Sequence, residues 1–137
     1  MSNIKFKAVI VGAFVDNAGT LFAMNFLVAA LVLTGLSENE VMDRLKSTSG
    51  LLLGLIIGLG CTVGGGYIAG RMARTAERTH GALVAVIGMA IALIFRDGGD
   101  PVWFDIAGLA AMLPAGIFGG HLAWQRAASG TGGDQAK

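Results

Sequence analysis

Charge is what this chain has least of. Lys, Arg, Asp and Glu make up 14% of its 137 residues, where a soluble domain carries about 25%. That deficit excludes an ordinary water-facing surface. Cysteine is scarcer still. Cys61 is alone, so no internal disulfide can form, and its position in an apolar run reads as a small core residue. Catalytic motifs are missing too. The sequence has no Cys/His cluster at metal spacing, no G-x-S-x-G and no Walker loop. GLGCTVGGG has close-set glycines without the G-x-G-x-x-G register, and no strand precedes it. Enzyme, metal and cofactor chemistry are therefore not expected. RMARTAERTH holds three arginines interrupted by Glu77, too little for a nucleic-acid partner and better suited to lipid headgroups.

What the chain has instead is 54% apolar residues and a mean hydropathy of +0.68. GLLLGLIIGLGCTVGGGYIAG, residues 50–70, is uncharged throughout, and a run of about 18 or more such residues is long enough to cross a bilayer. Three further spans fall at about 8–35, 80–96 and 103–124. The third holds GALVAVIGMAIALIF, about 22 Å of helix against a hydrocarbon core of roughly 30 Å. Trp103 and Trp124 bracket the fourth at a separation suited to an aromatic anchor at each interface. The runs lack period-two alternation, which excludes barrel strands. The expected fold is an all-α membrane protein, a single four-helix transmembrane domain over residues 1–126 with a disordered tail over 127–137.

Orientation follows from the short connections. Lys5, Lys7, Arg71, Arg74, Arg78, Arg126 and Lys137 flank one side. Arg44, Lys46 and Arg96 flank the other, among Glu38, Glu40, Asp43, Asp97, Asp100 and Asp105. The positive-inside rule puts both termini in the cytoplasm. Lys5 and Lys7 resemble the start of a signal peptide, but the apolar stretch outruns an h-region and Asp16–Asn17 interrupts it, so a retained span is expected. In SENEVMDRLKSTS, residues 37–49, Ser37 and Glu40 form a capping box, which predicts a short amphipathic helix with Val41, Met42 and Leu45 on one face. RDGGDP, residues 96–101, predicts a tight turn, and Pro114 a kink in the fourth span.

The second span carries a ladder of small residues: Gly50, Gly54, Gly58, Thr62, Gly66 and Gly70. Small residues at this spacing let a second backbone come close, so that van der Waals contact drives association in lipid. The fourth span has a matching stripe of Ala107, Ala111, Ala115, Gly119 and Ala123. These helices should pack on each other, or on copies from a second chain.

Asp16 lies about nine residues inside the first span, roughly 13 Å from its end. It shares a face with Gly12 and Thr20, and so points toward a neighbouring helix. An aspartate near the bilayer centre costs about 2.5–3.5 kcal/mol, which a neutral, hydrogen-bonding carboxyl would avoid. At a similar depth stands His121, the partner this reading favours, with Asn17 and Thr20 completing an intramembrane polar site. Either these groups are interhelical glue, or Asp16 and His121 hold a proton or cation in turn.

GAFVDNAGT in the first span and GGYIAGRMARTAERTHGALV across the second and third resemble small four-helix bacterial membrane proteins. In those, a first helix with glycine and an acid, and a GG-x-x-A-x-R-x-A exit leading to a His-Gly entry, recur. The resemblance covers about half the chain. It implies the fold and a bacterial inner membrane, and no activity. The expected function is a non-enzymatic accessory or assembly subunit or homo-oligomer in the lipid bilayer, packed through glycine ladders. The alternative is a small proton- or cation-coupled transporter or channel using Asp16 with His121.

Overall fold

The computed structural model describes residues 4–96 and 98–130. Five helices follow one another: α1 (Phe6–Leu33), α2 (Glu38–Lys46), α3 (Thr48–Ala73), α4 (Glu77–Ile94) and α5 (Val102–Gly130). α1, α3, α4 and α5 are long and apolar enough to cross a membrane. Their ends lie within a few residues of the expected spans, except that α5 runs to Gly130. Residues 127–130 are thus helical where a tail was expected, and residues 131–137 and Asp97 lie outside the described residues. Pro114 sits within α5 without ending it.

The first two connections have local causes. α1 stops at Gly35, whose φ of +86° suits glycine alone without strain. α2 begins at the expected capping box: the Glu40 carboxylate accepts from the Ser37 hydroxyl (2.7 Å) and from the Ser37 N–H (2.8 Å). Those bonds hold Glu40 below the usual glutamate range. Val41 is buried, whereas Met42 of the same expected face is half exposed. α2 then turns into α3 at Ser47, and within the first turn of α3 a side chain at Gly50 would run into the carbonyls of Arg44 and Leu45.

α3 is the central helix and packs against all four others, while α1 makes no contact with α5. At the end carrying Lys5, the α3–α4 turn and the C-terminus of α5, which we term the basic end, the helices close tightly on small residues. Ala69 and Val84 are completely buried there, with Val9 beside them. Large apolar side chains point outward instead: Phe6, Phe14, Phe22 and Phe26 of α1 are each about 70% exposed. Small groups inside and large apolar groups outside is the arrangement helices adopt in lipid.

The glycines allow this closeness between helices of one chain. On α3, a methyl at Gly65 would lie 2.5 Å from the Gly12 carbonyl oxygen of α1, and one at Gly66 would lie 2.6 Å from that of Gly116 on α5. Gly119 faces Val63, Gly120 faces the Glu77 carbonyl, and Gly81 and Gly116 face each other's backbone. Gly70 meets Ala123. The ladder of α3 and the stripe of α5 therefore meet at the basic end. Toward the α2 end they do not: Gly54 has only Met24 nearby, and Gly58 has nothing within 4 Å.

His80 locks the start of α1 to the start of α4. It is fully buried, its Nδ1–H donates to the Ala76 carbonyl (3.0 Å), and its Nε2 accepts the Lys5 backbone N–H (3.0 Å). One of the unsatisfied amides at the N-terminus of α1 is thereby capped from a neighbouring helix. His80→Ala should cost about 1–3 kcal/mol by orphaning that amide. Hydrogen exchange in the first turn of α1 should then accelerate, with the far half of α1 unchanged.

Candidate functional site: a buried carboxyl on the floor of a cavity

Where α1 and α5 fail to meet, the bundle leaves a half-open cavity of about 320 Å³. Its walls are apolar, formed by Leu55, Leu59, Ile91, Leu109 and Met112 among others, and it reaches from Asp16 and Thr62 at mid-bundle to Arg96 and Asp105 at the α2 end. Gly54 and Gly58, the unpacked half of the ladder, face into this space. Small residues at one spacing thus serve two purposes: close packing at one end of α3 and an open volume at the other.

Asp16 is 3% exposed and Thr62 1% exposed. Thr62 Oγ1 lies 3.1 Å from Asp16 Oδ1 and 3.1 Å from the Gly58 carbonyl oxygen. A hydroxyl has one proton and cannot donate to both. A protonated Asp16 donating to Thr62, which donates to Gly58, satisfies all three groups. With Asp16 ionised, the Thr62 hydroxyl donates to Oδ1, and Oδ2 is left to be satisfied from the cavity. Gly88 makes room for the carboxyl: a methyl there would lie 3.1 Å from Asp16 Oδ2 and 2.9 Å from Met112 Cε. At the far end, Arg96 and Asp105 form an ion pair across the α4–α5 connection.

Of the other expected site residues, Asn17 and Thr20 line the cavity with Asp16. Their side chains donate to the carbonyls one turn back, Ala13 (2.8 Å) and Asp16 (2.9 Å), as polar groups in apolar helices do when no other acceptor is in reach. His121 is elsewhere. Arg78 Nη2 donates to its Nδ1 (2.8 Å), Gln125 meets its Nε2 at 3.1 Å, and its ring stacks on Trp124 at 5.5 Å. The pairing of Asp16 with His121 is replaced by Asp16 with Thr62. His121 projects from α5 toward Arg78 of α4, and the backbones of α5 and α1 do not come together. Gly88, Arg96 and Asp105 carried no signal that sequence alone could connect to Asp16.

Among the described residues, no group of three or more His, Cys, Asp or Glu side chains could hold a metal ion. Comparison with protein-family models, with curated proteins and with solved structures gives no match.

Proposed function

We propose that the chain is a non-enzymatic, multi-pass protein of a bacterial inner membrane that binds and carries a small monovalent cation with an apolar body in the Asp16 cavity, in exchange for a proton. One observation carries this reading: a buried carboxyl, 3.1 Å from the Thr62 hydroxyl, on the floor of a largely apolar cavity of about 320 Å³ whose other carboxyl, Asp105, is paired with Arg96 at the far end. Ligand pockets have this character, apolar walls with few polar groups and roughly 300–1,000 Å³ of space. An acid inside a membrane span ordinarily marks an ion or substrate path. The proton and the cation compete for the same carboxylate, so bound cation displaces proton. The positive-inside rule supports cytoplasmic termini, since Lys5, Lys7, Arg71, Arg74, Arg78 and Arg126 gather at the basic end. The Arg96–Asp105 end of the cavity then lies toward the extracytoplasmic face. The test is binding and uptake of benzyltrimethylammonium by the reconstituted protein, with and without the Asp16 carboxylate.

A second reading, an assembly subunit or homo-oligomer, is favoured by Gly60 and Gly64. They lie one turn apart on α3, and a methyl added at either would meet nothing within 4 Å. Under that reading, Gly64→Cys should crosslink between chains in native membranes. A purely monomeric product at all crosslinker concentrations would dismiss it.

A further inference from the structure

We infer that the basic end holds a binding site for a phosphate group, on the flank formed by Tyr67 and Arg71 of α3 and Arg126 of α5, and that its occupant is the phosphodiester headgroup of an anionic lipid. Arg71 Nη1 and Arg126 Nη1 both donate to the Tyr67 hydroxyl, at 3.3 and 3.2 Å. The Arg126 guanidinium also lies over the Tyr67 ring, 5.5 Å from its centre. Two cations thus converge on one neutral oxygen, and among the described residues the only ion pair is Arg96–Asp105, at the opposite end.

Like charges are brought together here, and neither arginine forms an ion pair with another described residue. Glu77, the one carboxylate among the described residues of the basic end, packs its Cβ near Gly70 of α3 without an ion pair to Arg71 or Arg126, while Lys5, Lys7 and Arg74 add further positive charge. Guanidinium groups match the geometry of phosphate oxygens and form charge-assisted hydrogen bonds with them. The tyrosine hydroxyl keeps its own proton to donate to a third oxygen. The two arginines stand near the C-terminal ends of α3 and α5, at the level where headgroups sit, and tyrosine favours that interface as well. A zwitterionic headgroup would bring a choline cation toward the basic side chains gathered here, so a net anionic lipid fits better. The site is distinct from the Asp16 cavity and does not depend on the transport reading.

The test uses the full chain in a neutral detergent, titrated separately with dioctanoyl phosphatidylglycerol, dioctanoyl phosphatidylcholine and inorganic phosphate, with binding read by native mass spectrometry. Phosphatidylglycerol should bind the wild-type protein more tightly than phosphatidylcholine. The double variant Arg71→Gln/Arg126→Gln should weaken it by roughly 30-fold, and Tyr67→Phe by less. Arg78→Gln, on the other flank of α5, should leave it within about twofold, since it lacks contact with Tyr67. Inorganic phosphate binding as tightly, with the same dependence on Arg71 and Arg126, would uphold the phosphate site and identify its source as the free ion. Equal binding of the two lipids, or retention of phosphatidylglycerol by the double variant, would overturn it. Circular dichroism of each variant excludes misfolding as the cause.

Discussion

Asp16→Asn should abolish proton-coupled binding of benzyltrimethylammonium while leaving the bundle folded. Asparagine keeps the size of the side chain, and its oxygen can still accept from the Thr62 hydroxyl, so the α1–α3 contact at Gly12 and Gly65 is undisturbed. What disappears is the negative charge on the cavity floor. Removing one partner of a desolvated charge pair costs about 2–5 kcal/mol, which corresponds to a loss of roughly 30-fold or more in affinity. Calorimetry in detergent measures the affinity, and repeating it in buffers of different ionisation enthalpy counts the protons released on binding. The wild type should release protons as the cation enters, and the variant should release none. Uptake into liposomes should fall in parallel, with the helical circular-dichroism signal unchanged. His121→Ala separates this site from the alternative pairing. Its side chain lies with Arg78 and Trp124 and not in the cavity, so cation binding should persist. If Asp16→Asn binds the cation as the wild type does, the carboxyl is a structural group and the cavity is not its site.

The number and rough extent of the helices were legible because hydropathy runs report what must sit in lipid, and the α2 cap because Ser37 and Glu40 interact within one turn. Asp16 could be turned inward from sequence because it shares a helical face with Gly12, and the structure buries both. Its partner could not be read the same way. Counting residues from a helix end fixes height along the bundle, but not rotation about each axis or the order in which helices pack around one another. His121 suited Asp16 by height, and only the placement of α3 between α1 and α5 brings Thr62 to the carboxyl instead. The ladder posed a related difficulty. A spacing of four identifies a face of α3, while the helix facing it changes along its length. That face meets α5 at Gly66 and Gly70, and empty volume at Gly54 and Gly58.

Gly116→Ala should destabilise the bundle far more than a single methyl ordinarily does. The helices α4 and α5 approach each other backbone to backbone here. A methyl on Gly116 would meet the Gly81 carbonyl oxygen and lie 2.7 Å from the Ala85 methyl, and Gly81 is itself pressed against the Gly116 carbonyl and the Gly120 amide. Neither neighbour is the tip of a flexible side chain, so α5 as a whole must move to make room. Overpacking of this kind costs about 1–3 kcal/mol, and since small-residue contact is what replaces the hydrophobic drive between helices in lipid, little else is available to offset it. The shift would also part α5 from Gly66 of α3, whose closest neighbour is the same Gly116 carbonyl. Gly60→Ala supplies the internal comparison: it lies on the exposed side of α3 with nothing within 4 Å, and alanine is the better helix former by up to about 1 kcal/mol in water. Unfolding in mixed micelles of dodecyl sulfate and maltoside should show Gly116→Ala losing its helices at much lower dodecyl sulfate fraction than the wild type, with Gly60→Ala unchanged or slightly stabilised. Equal midpoints for Gly116→Ala and wild type would mean that α4 and α5 do not approach as closely as their glycines allow, and the cavity, whose walls those two helices complete, would have to be redrawn with them.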